Sequence, residues 1–292
     1  MTKNLKLSVK MKTPGYIFDF LLERVNSARA SNLSNSYPQV AIFSHDHIGL
    51  SINQYGLYEK DLLDLVMNIL NANGIGTRDI CIDIGANIGN HSLFFSQYFS
   101  SVWAFEANPR TYKLLKFNAD NVGNCKTYCY AISNVSDLNV SIKQDNCNIG
   151  GSRVIPLDLN QNGNNEIITK RLDDLVSADE HVSLIKLDVE GFELKCLQGA
   201  LDIIRTNKPL VLLEQSSADI REGSSSSLDL LKSEGYQFFV PNRSLNLGYT
   251  RFARFTSMCL RSILPYSMSL KPTVIFAQRH YHMILGIHGD NL

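Results

Sequence analysis

The 292-residue chain lacks a charge of either sign in excess: 28 Lys and Arg face 28 Asp and Glu. No bulk basic field therefore draws it to nucleic acid or to an anionic membrane, and no sequence-specific nucleic-acid partner is expected. Long apolar runs are also missing, since Leu210–Leu213 and Val274–Ala277 fall far short of the ~20 residues that span a bilayer. Lys3, Lys6, Lys10 and Lys12 precede Tyr16–Val25, but Asp19, Glu23 and Arg24 interrupt that segment. It makes no signal-peptide core, so a cytoplasmic location is expected. The six cysteines contain no Cys-x-x-Cys pair, which argues for reduced, mostly buried thiols. No metal-ligand spacing stands out, and no metal is expected. What remains, at 44% hydrophobic and 19% charged residues, is an ordinary globular chain with enough apolar residues for a sizeable core.

Helical and strand patterns alternate from Tyr58 onward: helix Tyr58–Leu70, strand Asp79–Ile84, helix Asn90–Phe99, strand Val102–Phe105, helix Pro109–Asn121 and strand Lys126–Ala131. The alternation resumes with strand Leu184–Leu187, helix Phe192–Ile204, strand Leu210–Leu213, helix Ser226–Glu234, and strands Gln237–Val240 and Thr273–Ala277. This order predicts an α/β fold with a mostly parallel sheet covered by helices on both faces, closed by an antiparallel pair. Residues 1–45 form an N-terminal extension, helical and suited to a cap or an interaction. Residues 46–292 make the main domain, with 242–272 a candidate substrate lid.

The strand ending at Ile84 runs straight into Gly85-Ala-Asn-Ile-Gly-Asn-His and a helix, the place where an open α/β sheet receives a nucleotide-like ligand. Glu106 follows Gly85 by 21 positions, at the end of the next strand, where a carboxylate can accept both hydroxyls of a ribose. Asn87 and Asn90 stand where a dinucleotide fold needs its second and third glycines, and Asp83 puts a carboxylate where a phosphate would lie. A phosphate-free, positively charged adenosyl ligand fits this pattern, which points to S-adenosylmethionine. Gly89 completes the turn, and His91 lies close to the cofactor.

The same residues resemble the FkbM-type methyltransferases, a class I family dependent on S-adenosylmethionine. The resemblance rests on Asp83-Ile-Gly-Ala-Asn-Ile-Gly-Asn-His-Ser, Phe105-Glu-Ala-Asn-Pro, Ala131-Ile-Ser, Arg171-Leu-Asp-Asp, Ile185-Lys-Leu-Asp-Val-Glu-Gly-Phe-Glu and Leu213-Glu, with Gly56-Leu-Tyr-Glu ahead of the first strand. It implies a Rossmann-like sheet of seven strands with the last antiparallel, and methylation of a hydroxyl oxygen on a sugar, glycan, glycolipid or other small acceptor. It extends the cofactor contacts to Ala107, Asn108 and Ala131, sets Tyr130 against the adenine, and makes the strand ending at Leu187 a neighbour of the one ending at Ile84. Asp188 then becomes the leading active-site acid, with Glu190 as the alternative general base and Lys186 on the same strand face as Asp188. Glu214 is the expected acid on the acceptor side and an ion-pair partner for Lys186. Glu59, with Tyr58, is expected over the methionine end of the cofactor.

A nicotinamide-dependent dehydrogenase is the competing enzyme reading, and a catalytically silent or nucleic-acid-binding relative the competing reading from another class. No Asp or Glu occurs between Gly235 and Gly289, whereas Arg243, Arg251, Arg254, Arg261, Lys271 and Arg279 do, interleaved with Tyr249, Phe252, Phe255 and Met258. That pattern suits a lid over an anionic or glycosidic acceptor, or a peripheral contact with lipid headgroups. Replacing Arg251 and Arg254 together is expected to raise the acceptor KM and leave cofactor affinity intact; unchanged steady-state kinetics would remove the lid.

Overall fold

In the central strands every side chain meets protein on both faces, and this sets the architecture. The computed structural model describes residues 16–33, 37–44, 46–72, 74, 79–143, 153–156, 166–245, 247–248, 250–264 and 266–292. After helices α1 (Tyr16–Leu33), α2 (His47–Tyr55) and α3 (Lys60–Ala72), the chain alternates through β1 (Ile80–Ile84), α4 (Asn90–Phe95), β2 (Ser101–Phe105), α5 (Pro109–Ala119) and β3 (Cys125–Tyr128). Four short strands follow, β4 (Ala131–Ile132), β5 (Asn139–Lys143), β6 (Arg153–Pro156) and β7 (Glu166–Lys170). They form a separate small sheet ordered β4-β7-β5-β6. The alternation returns with β8 (Val182–Leu187), α6 (Glu193–Gln198), α7 (Leu201–Asn207), β9 (Leu210–Gln215), α8 (Ser226–Ser233) and β10 (Tyr236–Arg243). It closes with α9 (Arg251–Ile263), β11 (Met268–Pro272) and β12 (Tyr281–His288).

The main sheet runs β11-β10-β12-β9-β8-β1-β2-β3. Strands β3, β2, β1, β8 and β9 are parallel, and β12 enters antiparallel between β9 and β10. This is the seven-stranded order that the resemblance implies, with β11 added as an eighth, edge strand. On one face, Ile82, Ile84, Ile185 and Val211 pack with Leu197, Ile204 and Leu228 from α6, α7 and α8. On the other, Cys81, Leu184 and Leu212 pack with Leu63, Val66 and Leu70 of α3 and Phe94 and Phe95 of α4. Doubly covered parallel strands bury continuous apolar runs in this way. Cys81, Cys125, Cys129, Cys196 and Cys259 are free thiols; Cys147 lies outside the described residues.

Several sequence expectations shift. Thr273–Ala277 is not a strand: β11 ends at Pro272, and the antiparallel closing strand starts at Tyr281. The expected helix Phe192–Ile204 breaks in two at Gly199, where a Cβ would meet the Ser133 carbonyl oxygen at 1.9 Å. The expected strand through Ala131 stops at Tyr128, and Ala131–Ile132 joins the small sheet. Residues 242–272 hold α9 and β11; Tyr249 and the side chains of Arg251 and Arg254 lie outside the described residues. Within the expected extension α1 is helical, and the segment after it is tied to the sheet domain. Ala41 donates to Asn118 Oδ1 at 2.7 Å, and Asn118 Nδ2 donates to the carbonyls of Ala41 and Ile88.

Truncating fully buried Ile185 to Ala at the sheet centre should cost about 2–5 kcal/mol, seen as a lower urea midpoint at unchanged m. The same change at Ile168, 44% exposed, should stay within about 0.5 kcal/mol.

Candidate active site

Register places the charges. Parallel pairing of β1 with β8 sets Asp83 opposite Lys186, and two residues further along β8's line Asp188 projects from the same face. Lys186 Nζ lies 3.1 Å from Asp83 Oδ1 and 3.5 Å from Asp188 Oδ2, and donates to the Gly85 carbonyl at 3.1 Å. Burial opposes the ammonium charge, but Asp83 and Asp188 together hold the pKa of Lys186 above its usual value. Lys186 is thus a fixed cation and no proton acceptor. Its partners are Asp83 and Asp188 in place of the expected contact with Glu214.

Asp83 departs from its expected role. The side chain is wholly buried, receives the Ser92 hydroxyl at 2.6 Å, and lines neither cavity described below. An ion pair with Lys186 of β8 and the hydroxyl of Ser92 on α4 engage its two oxygens. Gly85 is indispensable for a related reason: at φ +77° a Cβ would meet the Asp188 carbonyl oxygen at 1.8 Å.

Beside this cluster opens a cleft of about 620 Å³, bounded by Gly85, Asn87, Glu106, Tyr130, Asp188 and Phe192. Ala107, Ala131 and Glu190 also face it. Glu106 is positioned at both oxygens, accepting the Asn108 N–H at 2.7 Å and the Asn87 N–H at 2.9 Å. Burial pushes its carboxyl up to about 7, against these two hydrogen bonds. Phe105 stacks on Tyr128 at 4.9 Å and Tyr128 on Tyr130 at 6.4 Å, giving the cleft an aromatic wall. Its described lining holds three carboxyls and no Lys or Arg.

Gly89, Asn90 and Asn108 do not line the cleft. Gly89 opens α4 at φ +96°, and a Cβ there would crowd Leu115 at 3.0 Å. Asn90 turns away, exchanging two hydrogen bonds with the Tyr58 backbone at 3.0 and 3.1 Å. Asn108 caps α5 by accepting the Arg110 N–H. These side chains build the turn, and only Asn87 and Gly85 of the glycine segment reach the cleft.

A second cavity of about 340 Å³ lies across Asp188 on the α3 and α4 side, lined by Glu59, His91, Lys186, Asp188, Glu214 and His282 among others. Glu59 and His91, expected with the cofactor, both belong here. Burial pushes the Glu59 carboxyl up to about 7, with Asp188 adding to the rise. Burial, then Lys186, lowers His91 to about 4, so its ring is neutral at pH 7. Its Nε2 faces Glu59 Oε2 at 3.5 Å and has no hydrogen-bond partner among the described residues. Asp188 and Glu214 are hydrogen-bonded. Burial disfavours the charge on both, yet Lys186 and the bond from Glu214 hold Asp188 below the usual carboxylate range while Glu214 is driven up. One proton thus resides on Glu214, and Asp188 stays ionised.

The model of the methyltransferase FkbM domain matches residues 83–238, slightly more than half of the chain. The chain belongs to the FkbM methyltransferase family. It is 30% identical over 131 residues to the hexuronic acid methyltransferase AglP of Haloferax volcanii, a match covering 44% of this chain and 52% of that protein. The FkbM methyltransferase of Methylobacillus flagellatus is 16% identical at a TM-score of 0.39, covering 73% of this chain and 44% of that one. A putative O-methyltransferase from Klebsiella pneumoniae is 8% identical at 0.43, covering 92% and 99%. The chain thus spans about half the length of the curated relative it matches.

The FkbM methyltransferase family implies S-adenosylmethionine as the cofactor, and the residues of the first cleft fit it. Glu106 has acceptor capacity beyond its two backbone bonds, Tyr130 offers a flat wall, and a lining of carboxyls without a cation suits a sulfonium. The same lining is wrong for a diphosphate, and the dehydrogenase reading falls with it. Sequence reading missed Phe192 and Val189 in this cleft and His282 and Met283 at the other, with His280 beside His282. The pattern His280-x-His282 was the available signal, two imidazoles at strand spacing.

Affinity for S-adenosylhomocysteine should rise as pH increases through about 7, because ionised Glu106 accepts both ribose hydroxyls and its protonated form does not. Calorimetry from pH 6 to 8.5 checks this, and Glu106→Gln should bind weaker with a flat profile.

Proposed function

We propose that this methyltransferase acts on a hydroxyl oxygen of a sugar-containing acceptor, with the cofactor in the first cleft and the acceptor in the second. The observation that carries the reading is the position of Asp188, whose carboxylate lines both cavities and is 34% exposed. It is the one acidic side chain among the described residues shared by the two linings.

When bound, the cofactor supplies an electrophilic methyl carbon on a sulfonium leaving group. Asp188 would orient the acceptor hydroxyl toward that carbon and take up its proton as the oxygen receives the methyl group. Lys186 keeps the Asp188 carboxylate ionised and fixed, so what Asp188 brings to proton uptake is position and charge and not raised basicity. Holding acceptor and base in line supplies much of the rate, of order 7 kcal/mol or more in well-oriented cases. The vacant Nε2 of neutral His91 and the carboxyl of Glu59 offer partners for further acceptor hydroxyls. Glu190, at φ +50° on the first cleft only, is the weaker candidate for the base.

The name of the Haloferax volcanii relative, a hexuronic acid methyltransferase, supports a sugar acceptor. Exposed Phe252, Phe255 and Ile263 on α9, in a segment rich in arginine, support a lipid-linked form of it.

Incubation with methyl-labelled cofactor and a panel of uronic acids, neutral glycans and glycolipids should place label on a hydroxyl of one class. Label on none would contradict the reading. Asp188→Asn should lower kcat by about 10²–10⁴-fold while calorimetry finds S-adenosylhomocysteine affinity within a few-fold of wild type.

A further inference from the structure

At the outer rim of the second cavity, two histidines that the methyl-transfer chemistry leaves unused converge on Glu214. His280 Nε2 lies 3.0 Å from Glu214 Oε1 and 3.2 Å from His282 Nδ1, and the three atoms all fall within 4.8 Å of one another. The arrangement follows from the strands. Glu214 is on β9, and the histidines flank Tyr281 where β12 pairs antiparallel with β9. Register shifts between Tyr281 and Ile284, an irregularity of the kind that re-aims side chains beside sites. Spacing of two residues then puts both imidazoles on the side of Glu214.

We infer that Glu214, His280 and His282 form a divalent transition-metal site at the mouth of the acceptor cavity. At most one proton can sit on His280 Nε2, so it can donate to only one of its two close neighbours. A cation satisfies all three lone pairs at once, its binding releasing the proton that Glu214 otherwise carries. Two ligand atoms each ~2.1 Å from a metal, at octahedral or tetrahedral angles, lie about 3.0–3.4 Å apart, which matches the two short separations. Two imidazoles and a carboxylate suit Zn²⁺, Co²⁺, Fe²⁺ or Mn²⁺ better than Mg²⁺ or Ca²⁺, whose ligands are oxygens. The Glu59 carboxylate, 3.6 Å from His282 Nδ1, stands close enough to join or to position a ligand. His280 and His282 side chains are 42% and 63% exposed, so coordination positions open to an incoming acceptor remain.

The role follows if the second cavity takes the acceptor, the reading on which this part of the inference rests. A metal here would grip a neighbouring hydroxyl or carboxylate oxygen of the sugar and set the reacting hydroxyl toward Asp188. An acceptor with two adjacent oxygens would therefore be preferred over one with a single hydroxyl.

Titration of the chelator-treated full chain with Co²⁺, without cofactor or acceptor, tests the site apart from the methylation reading. Wild type should bind one Co²⁺ per chain with visible ligand-field absorption, and His280→Ala/His282→Ala should lose it while still binding S-adenosylhomocysteine. The single variants His280→Asn and His282→Asn, both at exposed positions, should each weaken Co²⁺ at least tenfold. No absorption in wild type, or the same absorption and affinity in the variants, overturns the site and leaves the methyltransferase assignment standing.

Discussion

The ammonium of Lys186 is the charge on which the site depends. Three negatively polarised groups meet it, the carboxylates of Asp83 and Asp188 and the carbonyl of Gly85, and each comes from a different part of the sheet edge. Removing one member of such a buried set leaves an uncompensated charge, which costs far more than the pair contributes when whole. The cluster therefore fixes position more than it adds stability: it ties β1 to β8 at their carboxyl ends, holds the glycine turn against Asp188, and keeps Asp188 ionised.

From that fixed point the two cavities take their characters. On the α6 to α8 side, the cleft presents Glu106 and an aromatic wall, where the proposal seats the adenosyl group. On the α3 and α4 side, it presents Glu59, His91, Glu214 and His282. Asp188 stands at the boundary because β8 ends there, and because the doubly wound order places that end beside the crevice. The antiparallel entry of β12 then carries a histidine pair to the rim of the second cavity, a position that a continued parallel strand would not have supplied.

Chain-local signals were legible before any fold was known. Gly85 and Glu106 sit on a strand-turn-helix-strand unit whose spacing points to a ribose site, and the parallel sheet followed from alternating patterns. The burial of Asp83 was not legible because its partners, Ser92 and Lys186, are decided by packing; a buried acid and a ligand-facing acid look alike in sequence. Asn90 likewise reads as a pocket side chain until Tyr58 is found to occupy it. The histidine pair was missed because Val274–Ala277 offers a better apolar run than the true strand's start, which begins Tyr281-His-Met. The break at Gly199 needs the Ser133 carbonyl, 66 residues away, to explain it.

The central claim is that one sheet edge separates a donor cleft from an acceptor cleft, with Asp188 between. A crystal structure with S-adenosylhomocysteine tests it most directly. The account predicts ribose hydroxyls on Glu106, adenine beside Tyr130 and the sulfur directed toward Asp188. A ligand seated among Glu59, His91 and Glu214, or a Glu106 carboxylate turned away from the ribose, would contradict it.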